Sequence, residues 1–180
     1  MLERFITILY LELIHLIITS DPAKSTASHK AGNEFSNFKV RIINLIASFL
    51  CFVYHITCYN GYALTTFEYF LISLVTFGAC LRLWAFVELG RFFTFTIGIQ
   101  ENHQIISSGP YMLFSHPGYI GQFFVVMGIV VFCDLPWFVF IPIIFYLFYR
   151  FYHRITEEEK MLIEHFGDQY TNYKKSVFII

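Results

Sequence analysis

Long apolar stretches alternate with shorter polar segments along this chain of 180 residues. An apolar stretch at 3–19 is followed by a polar loop at 20–39, which is rich in Ser, Ala, Lys and Asn and has no periodicity. Further apolar stretches cover about 40–58, which ends at a Tyr-Asn-Gly turn signal, and about 66–89. Stretches of this length and polarity are typical of transmembrane helices. The pattern therefore predicts three helical spans in the first half of the chain.

The second half contains an apolar run that predicts a helical hairpin. From 119 to 149 the only charged residue is Asp134, and Asp134-Leu135-Pro136 divides the run in two. Each arm of about 15 residues would span about 22 Å, which is short for a bilayer core. A charged amphipathic helix should follow at about 150–166 and end at Gly167, a residue type typical of helix C-termini. The predicted fold is all-α: a polytopic membrane protein of about five transmembrane helices, with a C-terminal hairpin followed by a cytosolic amphipathic helix.

Composition agrees with a membrane environment and argues against several kinds of ligand. Hydrophobic residues make up 57% of the chain and charged residues 14%, whereas a soluble domain carries about a quarter charged residues. The net charge is −1 and no basic stripe is present, so we expect no nucleic-acid partner. The four cysteines lie within apolar stretches without the spacing of metal ligands, so we expect neither a disulfide nor a metal site.

The distribution of basic residues predicts the orientation in the membrane. Lys and Arg occur in the 20–41 loop, in the 82–118 segment and in the C-terminal tail, but not in the turns at 59–65 and 134–136. By the positive-inside rule, the N-terminus lies outside and the C-terminus lies in the cytosol. No small-residue cleavage site follows the first apolar stretch, so we expect that span to be retained.

Polar and ionisable residues flank the predicted hairpin on its cytosolic side. His116 precedes Pro117, whose fixed φ favours an extended turn at the mouth of the hairpin. Arg150, Arg154 and Glu158 recur every four residues and so share one helical face. Because the second arm of a hairpin returns beside the first, His116 and Tyr119 should lie close to the face that carries Arg150, Arg154 and Glu158. Such a cluster at a membrane boundary is a candidate site, although a solvated helix face with interfacial tyrosines would carry similar residues.

A longer series of motifs contains these residues. The series is Phe77-Gly78-Ala79-Cys80-Leu81-Arg82, His103-Gln104-Ile105-Ile106, Ser108-Gly109-Pro110-Tyr111, His116-Pro117-Gly118-Tyr119-Ile120-Gly121, Arg154, Glu158-Glu159, Leu162, Phe166-Gly167-Asp168-Gln169-Tyr170 and Tyr173-Lys174-Lys175. In this order it resembles the isoprenylcysteine carboxyl methyltransferase family, over roughly 75–178, and less closely the wider group of small membrane methyltransferases. The combination is specific, whereas Phe-Gly-x-x-Tyr alone would be weak. The resemblance divides the chain into N-terminal spans with a polar loop at 1–74 and a membrane methyltransferase domain at 75–180.

The resemblance implies a reaction and a set of site residues. The reaction is S-adenosylmethionine-dependent methylation of the C-terminal α-carboxylate of a prenylated cysteine, in proteins of the CaaX type, at the endoplasmic reticulum membrane. Arg154 and Glu158 would be catalytic, at the reacting end. The residues implied for the methyl donor are His103, Ile105, Ile106, Gly109, Tyr111, His116, Pro117 and Tyr119.

The chemistry of the residues suits that reaction. A carboxylate is already ionised at neutral pH, so its methylation by a sulfonium requires no general base. Arg154 can present two N–H donors to a carboxylate, and Glu158 can either orient Arg154 or hold the amino group of the donor. Tyr111, Tyr119 or Phe114 could face the sulfonium through a cation–π contact.

Two positions depart from the family pattern and keep alternatives open. Ser115 stands where the family usually has Arg before His-Pro, and Phe178 stands where Pro is common. A homologue that retains the fold without activity, or a membrane scaffold, is therefore one alternative. A phospholipid N-methyltransferase is another, although its amine substrate must lose a proton and an Arg-Glu pair favours a carboxylate. A sterol reductase normally has more spans than 180 residues can hold.

Overall fold

A computed structural model of the chain describes residues 2–19, 53–54, 57, 63–93, 98–99 and 101–178. In these ranges the regular structure is helical, apart from one isolated parallel β-bridge between Phe114 and Phe178. The helices are α1 (Leu2–Thr19), α2 (Thr66–Leu89), α3 (Pro117–Phe132), α4 (Trp137–Phe166) and α5 (Asp168–Ser176), with 3-10 turns at Gly90–Phe92 and Gly109–Met112.

The observed helices lie where the apolar pattern predicts them, as far as the described residues reach. α1 and α2 coincide with the predicted first and third spans, whereas the predicted second span at 40–58 lies largely outside the described residues. Two helical segments, Thr66–Phe92 and Trp137–Phe166, are long and apolar enough to cross a membrane, and Ile6–His15 and Pro117–Phe132 are shorter apolar helices. The total of five spans stays a prediction.

The second arm of the hairpin differs from its prediction. Instead of a short arm followed by a separate amphipathic helix, α4 is one helix of 30 residues, about 45 Å long. Its continuity has a simple cause, since no Gly or Pro follows Pro142 until Gly167. Gly167 ends the helix as predicted: its φ is +54° and its N–H donates to the Ile163 carbonyl at 2.8 Å.

Large apolar side chains are exposed along about the first half of α4. Trp137, Phe145 and Tyr152 are each 73% exposed, and no residue of the helix is fully buried. Large exposed apolar side chains along a helix of this length are expected where the solvent is lipid rather than water.

The structure divides into two compact units, Met1–Thr76 with Val125–Leu135 and Phe77–Phe124 with Pro136–Ile180. In the first unit, the buried side chains include those of Ile8, Leu11, Leu71, Val75, Val125 and Phe132. The Tyr10 hydroxyl also lies 2.8 Å from the Thr76 hydroxyl, which satisfies both polar groups within an apolar setting.

In the second unit, the end of α2 packs directly on the start of α3. A Cβ atom at Gly121 would lie 2.5 Å from the Gly78 carbonyl oxygen and 2.8 Å from the backbone nitrogen of Arg82, so only glycine permits this approach of the two helices. On its other side, α3 contacts α4 through Phe123, whose ring centroid lies 5.6 Å from that of Phe148 and 6.1 Å from that of Phe151. These contacts place the first turn of α3 between Arg82 and the middle of α4.

Candidate functional site

The first turn of α3 and the middle of α4 form a hydrogen-bonded cluster of three residues. Tyr119 stands at its centre: its hydroxyl donates to Glu158 Oε2 at 2.5 Å and accepts from Arg154 Nε at 2.8 Å. The Arg154 guanidinium carbon also lies 5.9 Å from the centroid of the Tyr119 ring. One phenol therefore links a cation to a carboxylate, and we name these three residues the Tyr119 cluster.

The predicted convergence of the two hairpin arms is thus observed for Arg154 and Glu158 but not for Arg150. Arg150 is exposed and has no hydrogen bond or ion pair with the described residues. The reason is geometric, because steps of four residues advance a helical face by about 40° each. Over the two steps from Glu158 back to Arg150, the direction of the side chain changes by about 80°, which turns Arg150 away from the site.

Arg82 is a residue of the site that the sequence analysis did not assign to it. Its side chain is 8% exposed, its Nη1 donates to the Gly118 carbonyl at 2.8 Å, and its guanidinium carbon lies 4.5 Å from the Phe86 ring centroid. Its Nε is buried without a hydrogen-bond partner among the described residues. A lone arginine inside an apolar helix was the available signal, since an ionisable residue there is expensive unless it has a function.

His116 lies between Tyr119 of the cluster and Tyr170 of α5. Its side chain is 4% exposed, its ring centroid is 5.8 Å from that of Tyr119, and its Nε2 is 3.5 Å from Glu159 Oε1. The Tyr170 hydroxyl lies 3.5 Å from the same nitrogen. Pro117 is buried and opens α3, a position where its missing N–H does no harm.

The Gly109–Met112 turn holds Tyr111 next to these residues. Tyr111 is 8% exposed, and its burial, together with the nearby Glu158 charge, raises the pKa of the phenol above its ordinary value. The phenol is therefore neutral. Gly109 has a φ of +56°, and a Cβ atom there would lie 2.9 Å from Glu88 Oε2, while the Ser108 hydroxyl donates to the same carboxylate.

His103 lies beside the end of α4, between two phenylalanine rings. Its ring centroid is 4.9 Å from that of Phe92 and 5.7 Å from that of Phe166. Burial lowers the pKa of His103, the charge of His165 lowers it further, and Glu158 opposes the change. The imidazole is therefore neutral at pH 7, and its buried Nδ1 has no hydrogen-bond partner within the described part of the chain.

Ile105 and Ile106 follow outside regular secondary structure and are half-buried. Their main-chain groups form no hydrogen bonds with the described residues. The structure does not join these two residues to the Tyr119 cluster.

Comparison with known proteins agrees with this arrangement. The model of the isoprenylcysteine carboxyl methyltransferase (ICMT) family matches residues 71–164. The protein-S-isoprenylcysteine O-methyltransferase of Homo sapiens is 36% identical over 109 residues, which are 59% of this chain and 38% of that protein. The enzyme of the same name from Schizosaccharomyces pombe is 31% identical over 109 residues, again 59% of this chain and 45% of that protein. The chain thus spans less than half the length of these two relatives.

A solved structure gives the same fold. The structure of the eukaryotic intramembrane Ras methyltransferase ICMT superposes with a TM-score of 0.68 at 21% sequence identity, over 97% of this chain and 63% of that one. At this identity the likeness establishes the fold.

Proposed function

The chain belongs to the isoprenylcysteine carboxyl methyltransferase family, and from that premise we propose that it methylates the C-terminal α-carboxylate of a prenylated cysteine with S-adenosylmethionine as donor. The observation that carries the proposal is the Tyr119 cluster, which holds the Arg154 guanidinium at the mouth of the hairpin. Arg82 of α2 adds a second guanidinium, which is hydrogen-bonded to the Gly118 carbonyl in the first turn of α3. Two guanidiniums against one carboxylate around the half-buried Tyr119 phenol leave an excess of positive charge, which favours an anionic acceptor.

The residues around His103 fit a methyl donor of this kind. The Nδ1 of His103 and the main chain of Ile105 and Ile106, which have no hydrogen-bond partner among the described residues, could offer hydrogen-bonding groups to a nucleoside. Gly109 has a φ of +56°, a conformation that favours glycine, and it lies against the Glu88 side chain. With these groups we include as donor-binding residues Tyr111, His116, Pro117 and Tyr119. S-adenosylmethionine, when bound, supplies a methyl group on a positively charged sulfur.

The chain's own residues would align the acceptor and need not move a proton. The planar Arg154 guanidinium matches a carboxylate in shape and charge, a fit that a lysine would not reproduce. Glu158 acts on Arg154 through the Tyr119 hydroxyl, which supports an orienting role for this carboxylate. The phenols of Tyr111, Tyr170 and Tyr173 stay protonated, because burial raises the pKa of each above its ordinary value. A site of neutral phenols and aromatic walls excludes water, which would compete for the methyl group.

The remaining parts of the proposal concern the cellular location of the protein and the bounds of its methyltransferase domain. We place the protein in the endoplasmic reticulum membrane because of the family to which it belongs, with a cytosolic C-terminus because of the charge distribution along the chain. The methyltransferase domain is residues 75–180, preceded by N-terminal spans and a polar loop at 1–74. The prenyl chain of a CaaX-type substrate would reach the site from the bilayer, along the apolar surface of the helices.

The proposal is tested by a pair of arginine variants on the same helix. In membranes that contain the protein, Arg154→Lys should lower kcat/KM for a farnesylated cysteine analogue about 100-fold, because it loses the planar fork while it keeps the charge. Arg150→Lys is the matched control and should stay within about twofold, because Arg150 is exposed and lies outside the cluster. Equal activity of the two variants would remove Arg154 from the reaction.

A further inference from the structure

Two stretches of the chain that lie far apart in sequence are joined near the site. We name residues 108–116 the donor loop and residues 168–178 the C-terminal segment. Phe178 N–H donates to the Leu113 carbonyl at 2.7 Å, and Ser115 N–H donates to the Phe178 carbonyl at 3.3 Å. The rings of Phe114 and Phe178 lie 6.3 Å apart between centroids. A two-hydrogen-bond parallel bridge thus fixes the donor loop directly before His116.

A tyrosine of the C-terminal segment holds the same loop one turn earlier. The Tyr173 hydroxyl donates to the Tyr111 carbonyl at 2.9 Å and lies 3.4 Å from the Phe114 carbonyl. Burial raises the pKa of Tyr173 to about 12, so the hydroxyl keeps its proton and remains a donor throughout the physiological pH range. The loop backbone between Tyr111 and Ser115 is therefore held at four carbonyl or amide positions by one short segment.

A side-chain network extends the connection to His116. Lys174 Nζ lies 2.7 Å from Glu159 Oε1, and the same oxygen lies 3.5 Å from His116 Nε2. The Lys174 and Glu159 side chains are only 25% and 18% exposed, so their ion pair is less screened than one on an open surface. Glu159 lies on α4, next to Glu158 of the Tyr119 cluster. Lys174 and His116 thus approach the same carboxylate oxygen of Glu159.

The bridge also joins the two positions at which the chain departs from the family pattern. Ser115 is 5% exposed and its hydroxyl has no partner among the described residues, so its contribution to the loop is its backbone N–H. Phe178 contributes its own N–H, a group that proline lacks. Ser115 and Phe178, the two departures from the family pattern, therefore lie in the same backbone bridge.

From these contacts we propose that the C-terminal segment is a positioning element for the donor loop, and that Lys174 is a positioning residue that orients His116 through Glu159. The inference rests on the proposed function, since it takes the donor loop to bind S-adenosylmethionine. The Tyr119 cluster lies on α3 and α4 and does not depend on the segment for its hydrogen bonds. Loss of the segment's contacts should therefore weaken donor binding and leave turnover at saturating donor nearly unchanged.

The experiment compares three lysine variants of the full chain. Lys174→Met should raise the Kd and KM for S-adenosylmethionine about tenfold, with kcat at saturating donor within about twofold of wild type. Lys174→Arg keeps a cation within reach of Glu159 and should restore donor affinity to within about threefold. Lys175→Met is the matched control: Lys175 is exposed and unpaired among the described residues, so donor affinity should not change.

Hydrogen exchange in a backbone variant, measured without S-adenosylmethionine, distinguishes failure of this inference from failure of the proposed function. Phe178→Pro should increase hydrogen exchange at the Ser115 amide at least tenfold more than Phe178→Ala does, because only proline removes the N–H that binds Leu113. Wild-type donor affinity in Lys174→Met and equal exchange in the two Phe178 variants would overturn the inference and leave the proposed function intact. If wild-type protein itself binds no S-adenosylmethionine, the proposed function fails and the donor-positioning role of Lys174 fails with it.

Discussion

Replacing Tyr119 by phenylalanine removes one oxygen atom from the centre of the site. The Tyr119 hydroxyl accepts from Arg154 Nε at 2.8 Å and donates to Glu158 Oε2 at 2.5 Å. Phenylalanine keeps the ring and its edge contact with Phe151, whose centroid lies 6.4 Å away. The change therefore isolates the polar link between cation and carboxylate from the packing of α3 on α4.

The magnitude follows from the two hydrogen bonds. Each involves a charged partner, and such a bond contributes about 1.5–3 kcal/mol. If Tyr119→Phe removes about 2.7 kcal/mol of the stabilisation that these two hydrogen bonds give the transition state, kcat/KM for the acceptor falls about 100-fold. This follows because 1.36 kcal/mol corresponds to a factor of ten. The folded protein should lose only about 1 kcal/mol of stability, because Arg154 and Glu158 remain charged groups of opposite sign and can approach each other.

The assay measures methyl ester formation on a farnesylated cysteine analogue, together with thermal unfolding in detergent. Tyr152→Phe is the matched control, because Tyr152 lies on α4 and is 73% exposed; its activity should be unchanged. Wild-type kcat/KM in Tyr119→Phe would refute the role given to the hydroxyl. A large fall in melting temperature with unchanged specific activity would make the link structural rather than catalytic.

Three further predictions concern the surroundings of the cluster. Gly121→Ala places a Cβ atom 2.5 Å from the Gly78 carbonyl oxygen and should cost about 3 kcal/mol of stability; Gly118→Ala, whose nearest contact would be 3.9 Å, is the control in the same unfolding measurement. Arg82→Met removes a buried cation and should lower kcat/KM about tenfold or more while the melting temperature changes little, because the lost hydrogen bond is offset by the lost desolvation cost; a melting temperature that falls with activity would contradict this. Burial lowers the pKa of His103 below its ordinary 6.5, so the folded state binds fewer protons than the unfolded state at pH values between the two pKa values. The stability that depends on neutral His103 is therefore full above about pH 6.5 and falls as the pH drops toward the lowered pKa. Unfolding of wild type and His103→Gln at pH 7.5 and 5.5 checks this, and an equal pH response of the two proteins would contradict it.

The sequence predicts the parts of the site that depend on local periodicity. Arg154 and Glu158 are one helical turn apart, and the Asp134-Leu135-Pro136 turn returns α4 beside α3, so their meeting with Tyr119 follows from the pattern. The helix end at Gly167 follows in the same way from the glycine. The continuity of α4 through 150 was not predicted, because the change from apolar to charged composition at that point suggests a boundary although no residue there interrupts a helix.

Contacts between residues far apart in sequence could not be predicted. The hydrogen bond from Arg82 to the Gly118 carbonyl depends on the close packing at Gly121, which sequence alone shows only as one more glycine. The bridge between Leu113, Ser115 and Phe178 uses main-chain groups, which every residue except proline carries. Side-chain identity therefore does not indicate this pairing, even though Ser115 and Phe178 stand out as departures from the family pattern.

The central claim is the identity of the methyl acceptor, and it is tested by offering two acceptors to membranes that contain the full chain. Radiolabelled S-adenosylmethionine is supplied with a farnesylated cysteine analogue in one reaction and with phosphatidylethanolamine in another. Base-labile label on the prenylcysteine, which is characteristic of a carboxyl methyl ester, is the predicted result. Base-stable label on the phospholipid, or label on neither acceptor, would contradict the account.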